Sequence, residues 1–168
     1  VNGKTIENYL DTRKYGDVMI SLRPTSSSWE DKWKENNLNH PLTNNWNFFG
    51  VGIPIKDLKN TSDYYFDLGF SEIPNPKKIN YPNLQSNQVK VGPIIFEFFE
   101  PSESHPIHNE ILMERGEGIS DLVFLVDDLE VEKSKLLNRG TSLLDSNETF
   151  AIFDTRKEGN TLIRLVNK

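Results

Sequence analysis

The alternation of apolar and polar positions along the chain predicts two copies of one supersecondary unit. In each copy a strand-like run ends at an Asp-Leu pair, a helical stretch follows, and that stretch runs to a glycine. The helical stretches extend from Asp57 to Gly69 and from Asp128 to Gly140, and in both the glycine follows the aspartate by twelve positions. Aspartate is a favourable helix N-cap and glycine a favourable residue just beyond a helix C-terminus.

Further strand-like runs complete each copy. They are rich in alternating apolar, β-branched and aromatic residues, and they span residues 70–73, 85–91 and 93–99 in the first copy and 141–144, 149–153 and 161–166 in the second. The pattern therefore predicts an α+β fold made of two βαβββ modules, residues 46–100 and 117–168. Two such curled four-stranded sheets can close around a shared cleft.

A second repeat relates the two ends of the chain. Residues 11–16 (Asp-Thr-Arg-Lys-Tyr-Gly) are echoed by residues 154–159 (Asp-Thr-Arg-Lys-Glu-Gly) at an offset of 143 residues. Two hairpin turns of one common type would explain this, because turn composition recurs easily. Alternatively, residues 1–22 are the closing hairpin of a preceding copy, either as a vestige or as the visible end of a longer tandem protein.

The segment between this hairpin and the first module predicts a short amphipathic helix. Ser27 and Glu30 have the spacing of a capping box, and Trp29 and Trp33 lie one helical turn apart. Packing of the two tryptophans on the body of the protein is favoured over an interaction helix for a partner. A polar, Asn-rich linker follows through residues 40–45.

Composition excludes several classes of function. The 19 basic and 25 acidic residues give a net charge of −6, which argues against binding to nucleic acid or to an anionic membrane. The absence of cysteine excludes disulfides, thiol catalysis and Cys-ligated metals. With no visible signal peptide, a cytoplasmic location is expected, and the start at Val1 suggests a processed or trimmed chain.

Several segments resemble a known family. They are the stretch from His105-Pro106-Ile107 to Ile111-Leu112, Arg115-Gly116-Glu117-Gly118-Ile119 before the first strand of the second module, Val126-Asp127-Asp128-Leu129, and residues 159–165. Together with the paired modules they resemble the vicinal oxygen chelate superfamily, which includes glyoxalase I, and within it most resemble the methylmalonyl-CoA epimerases. The resemblance implies a glyoxalase-like domain at residues 46–168, preceded by an extra hairpin, short helix and linker at residues 1–45.

The resemblance also implies a divalent metal held by four side chains. Its ligand positions correspond to Gly50, Glu97, Asp121 and Arg164. Gly50 offers no side chain and the Arg164 guanidinium has no acceptor atom, so we expect the metal site to be lost and no cofactor to be bound. A guanidinium there can satisfy both acids, which predicts an ion pair from Arg164 to Glu97, Asp121 or both.

No catalytic residue is assigned. The epimerases use a carboxylate base from a strand of the first module, where this chain offers no acid in residues 81–85, and only Glu72 and Glu100 remain as substitutes. His105 and His108 have a spacing that can bind zinc on a helix, but Pro106 between them favours a turn in an exposed linker. No serine stands at a spacing from a histidine that would predict nucleophilic catalysis.

Three functional hypotheses follow. The first is a degenerate domain that binds a small molecule or a protein partner in its cleft without metal chemistry. The second is an epimerase or lyase with a rearranged metal set or none. The third is an accessory domain of a larger tandem or multidomain protein, in which the fold serves assembly; a homodimer is compatible with it. The residues at positions 50 and 164 favour the first and third hypotheses.

Overall fold

A computed structural model describes residues 8–22, 40–73 and 84–168. Over these residues the chain forms one eight-stranded sheet, four helices and a separate two-stranded hairpin near the N-terminus. The helix expected around Trp29 and Trp33 lies outside the described residues. No helix within the described ranges is long and apolar enough to cross a membrane.

The elements follow the predicted βαβββ order twice. The hairpin comprises β1 (Asn8–Thr12) and β2 (Val18–Leu22), and the first module comprises β3 (Asn47–Pro54), α1 (Leu58–Asp67), β4 (Ser71–Glu72), β5 (Ser86–Val91) and β6 (Ile94–Phe99). After a connecting helix, α2 (Pro106–Arg115), the second module comprises β7 (Asp121–Val126), α3 (Leu129–Leu137), β8 (Ser142–Ser146), β9 (Phe150–Thr155), the short α4 (Arg156–Gly159) and β10 (Thr161–Asn167). The predicted fold class is confirmed.

The sheet joins the modules through their first strands. Its order is β4-β5-β6-β3-β7-β10-β9-β8, with β3 and β7 antiparallel at the centre. Within each module the first strand pairs in parallel with the last, β3 with β6 and β7 with β10. This topology brings the first and last strands of both modules together at the centre of the sheet.

The helix caps are those that the sequence predicts. Asp57 accepts a hydrogen bond from the amide of Asn60 at 2.9 Å, and Asp128 accepts one from the amide of Val131 at 3.0 Å. Beyond the two helices, Gly69 and Gly140 have φ of 91° and 82°, a conformation that glycine adopts without strain.

Apolar side chains cover both faces of the sheet. On one face, called here the helix face, α1 and the β1–β2 hairpin pack on the first module, and α3 packs on the second. The hairpin contributes Val18 and Ile20 to the same cluster as Ile53, Tyr65 and Phe98. The opposite face, called the site face, carries a third cluster and is covered by α2.

Helix α2 corrects the prediction of an exposed turn at residues 105–108. Pro106 occupies the first turn of α2, where its missing N–H would have had no helical partner. His105 and His108 are 8% and 1% exposed, and Ile111 belongs to the site-face cluster. The spacing of His108, Ile111 and Leu112 is that of one face of a helix. Pro106 favoured a turn and so hid this pattern.

Candidate functional site

Three charged side chains meet on the site face where the two modules join. Glu97 comes from β6, Asp121 from β7 and Arg164 from β10, and Gly52 on β3 lies opposite both acids in the sheet register. The three charged residues are 4%, 0% and 1% exposed. The parallel and antiparallel pairings at the centre of the sheet thus gather residues that are far apart in sequence.

Arg164 forms ion pairs with both acids. Its Nη2 donates a hydrogen bond to Oε2 of Glu97, and its Nε lies 3.4 Å from Oδ2 of Asp121. The predicted ion pair is therefore present to both carboxylates. Because each charge is buried, each depends on the others for compensation, and removing one would be costly.

Asp121 receives further support from outside the strands. Nε2 of His108, on α2, lies 2.9 Å from Oδ1 of Asp121, and the hydroxyl of Ser120 donates to the same oxygen at 3.1 Å. Burial alone would raise the pKa of Asp121, but the charges of His108 and Arg164 and the hydrogen bonds from His108 and Ser120 outweigh it. The pKa of Asp121 is consequently below its ordinary value.

Glu97 has a weaker second partner. The side-chain amide of Gln88, on the neighbouring strand β5, lies 3.5 Å from Oε1 of Glu97. Gln88 is itself 3% exposed, so the polar cluster extends from β5 across the centre of the sheet to β10. We call Gln88, Glu97, His108, Asp121 and Arg164 the buried charge cluster.

Two glycines of β3 have different relations to this cluster. A Cβ atom on Gly52 would lie 2.7 Å from Oδ2 of Asp121 and 3.0 Å from Nη2 of Arg164, so a side chain there would displace the ion pairs. A Cβ atom on Gly50 would lie 2.1 Å from the carbonyl oxygen of Ile95, at a shift in the β3 register. Gly52, which the sequence analysis did not single out, is therefore the glycine that borders the cluster.

The cluster does not fit a divalent cation. Arg164 lies between the two carboxylates, and a guanidinium about 4 Å from a divalent ion is repelled by about 8 kcal/mol at an effective dielectric constant of about 20. In the part of the chain that the structure describes, no three histidine, aspartate or glutamate side chains are arranged to hold a metal ion.

The other candidate residues have structural contacts. Glu72 is exposed on β4, and Glu100 accepts a hydrogen bond from the amide of Leu58 at 2.5 Å, at the start of α1. Nδ1 of His105 lies 3.1 Å from the hydroxyls of Ser102 and Ser104, a serine–histidine contact that the sequence analysis did not expect. The two contacts of His105 are local and lie at the start of α2.

Helix α2 closes the site face. The ring of His108 packs edge-on against Phe99 with centroids 5.0 Å apart, and Ile111 packs in the cluster with Val123 and Leu162. A molecule approaching the buried charge cluster from this face would have to displace α2. The charged groups of the cluster therefore pair with and orient one another. None of them is presented to solvent.

Solved structures with the same fold include several methylmalonyl-CoA epimerases. The enzyme from Mycobacterium tuberculosis is 24% identical, with a TM-score of 0.55 over 71% of this chain and 86% of that one. An epimerase solved with methylmalonyl-CoA and NH4+ is 17% identical, with a TM-score of 0.58 over 73% and 94%. A Streptomyces coelicolor epimerase variant bound to 2-nitronate-propionyl-CoA is 17% identical, with a TM-score of 0.57 over 72% and 96%.

These similarities show that the chain shares the fold of these epimerases, which is the fold that the sequence predicts. A hypothetical protein from Bacillus halodurans has it too, at 18% identity and a TM-score of 0.58 over 73% of this chain and 94% of that one. No protein-family model and no curated protein matches the sequence.

Proposed function

We propose that this chain is a non-catalytic binding domain on the vicinal oxygen chelate fold, which engages a protein partner through its outer surface. In this proposal the position of the family's metal is taken by the Arg164 guanidinium. The cleft then serves as a stabilising core for the two modules and no longer binds substrate.

The observation that carries the proposal is the buried contact of Arg164 with Glu97 and Asp121. A permanent cation already pairs with both carboxylates that would face a metal, and arginine does not lose its proton in proteins. Both carboxylates are held in ion pairs with Arg164, and the lowered pKa of Asp121 makes it a weak base toward a substrate proton.

The burial of the cluster favours a protein partner over a small molecule in the cleft. Glu97, Asp121 and Arg164 are at most 4% exposed, and α2 covers the site face with His108 and Ile111. Ligand binding in the cleft would therefore have to expel a packed helix. Binding through surface residues requires no such rearrangement.

Metal titration tests the proposal directly. Purified protein is titrated with Co²⁺, Ni²⁺, Mn²⁺ and Zn²⁺ by calorimetry and by thermal unfolding, with and without a chelator. We expect no saturable one-to-one binding and no rise in the unfolding midpoint, because only a species that binds the native state stabilises it. The rate of methylmalonyl-CoA epimerisation is measured by the incorporation of deuterium from solvent. This rate should equal the uncatalysed rate.

A matched variant gives the experiment its positive control. Arg164→Gln removes the resident cation and leaves Glu97, Asp121 and His108 in place, so the variant should gain stabilisation by divalent ions that the parent lacks. Tight one-to-one metal binding by the parent protein, abolished by Glu97→Gln, would contradict the proposal. So would chelator-sensitive turnover.

A further inference from the structure

A polar cavity lies at one end of the second module, outside the buried charge cluster. It has a volume of about 770 Å³ and is lined by residues 139–142, where α3 leads into β8, and by residues 154–158, where β9 leads into α4. Small-molecule sites commonly have volumes of about 300–1,000 Å³. No large apolar side chain is among the described residues that line the cavity, so it is suited to a hydrophilic ligand.

The first wall of the cavity is fixed by backbone hydrogen bonds to the end of α3. The amide of Arg139 donates to the carbonyl oxygen of Leu136 at 3.0 Å, and that of Thr141 donates to the same oxygen at 3.2 Å. The amide of Gly140 donates to the carbonyl oxygen of Leu137 at 2.9 Å. The backbone that carries the Arg139 side chain is therefore held in place before any ligand binds, which lowers the entropic cost of binding.

The second wall is the later copy of the terminal sequence repeat. Nε and Nη2 of Arg156 bind the Asp154 carboxylate at 2.9 and 2.7 Å, and Nη1 lies 3.1 Å from Oε1 of Glu110 on α2. In the earlier copy Nε and Nη2 of Arg13 bind the Asp11 carboxylate in the same way, at 2.8 and 2.7 Å. The sequence repeat is thus also a repeat of side-chain contacts, and in the later copy these contacts fix residues that line the cavity.

The two copies differ at the lysine that follows the arginine. Nζ of Lys14 lies over the ring of Tyr15, 5.0 Å from its centroid. Lys157 is followed by Glu158 instead of an aromatic residue, so its ammonium group has no neighbouring ring of this kind. Lys157 is exposed, and its ammonium group pairs with no acid among the described residues.

Unpaired cations are concentrated at this cavity. In the part of the chain that the structure describes, the basic side chains without a hydrogen-bonding, ionic or ring partner are those of Lys56, Lys90, Arg139 and Lys157. Two of these four line the cavity, whose lining residues include three cations and two acids. Acidic residues outnumber basic ones by 25 to 19 in the whole chain, so a cavity with an excess of cations marks a place where an external anion can supply the missing charge.

The two acids of the cavity do not prevent an anion from binding. The Asp154 carboxylate accepts hydrogen bonds from the amide, Nε and Nη2 of Arg156, so its charge is compensated within the wall. Glu158 is exposed, and its carboxylate can accept hydrogen bonds from hydroxyl groups of a ligand. Thr141 and Ser142 contribute hydroxyl groups that can donate to the ligand.

We propose that this cavity binds a small hydroxylated molecule that carries a phosphate group. A phosphate monoester has a charge of about −1.5 to −2 and three acceptor oxygens, which suit the two unpaired cations and the hydroxyls of Thr141 and Ser142. A carboxylate supplies only one charge and two acceptor oxygens. The site goes beyond the proposed function and does not depend on it, because none of its residues belongs to the buried charge cluster.

Titration of the intact chain with three sugar derivatives tests the inference. Glucose 6-phosphate, gluconate and glucose are all hydroxylated and differ in their anionic group, and amide chemical shifts are followed by ¹H–¹⁵N NMR. We expect saturable shifts centred on residues 139–142 and 154–158 with glucose 6-phosphate, with a Kd below about 1 mM. Gluconate should bind at least about tenfold more weakly, and glucose should cause no saturable shift.

Single substitutions distinguish this site from a general attraction of anions. Arg139→Gln and Lys157→Gln should each weaken the binding of glucose 6-phosphate by at least about fivefold, since each removes one charge-assisted contact. Lys90→Gln is the matched control, because Lys90 is also exposed and unpaired among the described residues but lies on β5 in the first module. It should change the affinity by less than about twofold. None of the three side chains pairs with another described group, so all three variants should keep the dispersed spectrum of the parent chain.

Four results would overturn the proposal. They are the absence of saturable shifts with glucose 6-phosphate, equally tight binding of glucose, equally tight binding of gluconate, and equal losses of affinity in Lys157→Gln and Lys90→Gln. None of them changes the outcome of the metal titrations, so this proposal and the proposed function can fail separately.

Discussion

Arg164 carries a fixed positive charge at a point where only 1% of the residue is exposed. Its compensation comes from two acids on different strands, Glu97 and Asp121, and Asp121 is held in turn by His108. A buried charge of this kind stabilises little relative to an apolar core, but the loss of one partner leaves the others uncompensated. The residue-scale predictions follow from that asymmetry.

Arg164→Met should lower the free energy of unfolding by about 3–5 kcal/mol, because it leaves two buried carboxylates without their cation. Urea denaturation measures the change. Arg156→Met is the control: Arg156 also pairs with an acid, Asp154, but its side chain is 30% exposed, so the expected loss is at most about 1 kcal/mol. If the free energy of unfolding falls equally in the two variants, burial of the cluster contributes nothing to stability.

The lowered pKa of Asp121 predicts an acid-sensitive core. A carboxyl group with a lower pKa in the folded than in the unfolded chain stabilises the fold above its unfolded pKa, and that contribution is lost as the pH falls through the folded value. The free energy of unfolding should therefore fall as the pH drops below about 4. In Asp121→Asn this pH dependence should be visibly flatter.

The control for this pH profile is Asp154→Asn. The pKa of Asp154 is also lowered, chiefly by its hydrogen bond from Arg156, but its side chain is 27% exposed and solvent screens the pair. Its removal should flatten the profile less than Asp121→Asn does. The interpretation fails if the two profiles coincide.

At the scale of elements, α2 decides whether the site face is open or closed. The helix connects the modules, begins at Pro106, and places His108 on Asp121 and Ile111 in the apolar cluster. Its outward side carries Met113, which is 79% exposed. A helix packed in this way contributes core stability, whereas an exposed connecting loop would not.

Ile111→Ala should therefore lower the free energy of unfolding by about 2–4 kcal/mol, since it removes a 3%-exposed side chain from a packed cluster. Met113→Ala, two residues away on the exposed side of α2, should change it by less than about 0.5 kcal/mol. Chemical denaturation of both variants distinguishes the packed helix from a loop. A near-zero effect at Ile111 would mean that α2 does not cover the site face in solution.

At the scale of the whole molecule, the two modules share one interior. The site-face cluster combines Leu84 and Phe99 with Val123, Phe150 and Leu162 of the second module. The central pairing of β3 with β7 and the Arg164–Glu97 ion pair also cross between the modules. Neither module can lose its structure without exposing apolar surface of the other.

Unfolding should accordingly be a single cooperative transition. Near-ultraviolet circular dichroism, which reports aromatic packing, and far-ultraviolet circular dichroism, which reports secondary structure, should give the same urea midpoint. Two separated transitions would indicate modules that fold independently.

Local sequence was sufficient to determine the repeated βαβββ units. The caps at Asp57 and Asp128 and the glycines at positions 69 and 140 act within one helical turn of their own positions, so they can be recognised without a fold. The ion pair of Arg164 was also predictable, because the resemblance aligned it with two acids. Leu68 and Leu137 also fit the apolar helical pattern, but they are 42% and 43% exposed. Periodicity marks the apolar side of a helix, but it does not show how far the neighbouring element covers that side.

Only the tertiary structure decided how the site face is closed. The positions of His108 and Gly52 depend on the path of a connecting helix and on the register between β3 and its neighbours, and both result from contacts between residues distant in sequence. A proline is compatible both with a turn and with the first position of a helix, so Pro106 alone does not distinguish the two. Packing against the apolar site face selects the helix, because that choice buries Ile111 and pairs His108 with Asp121.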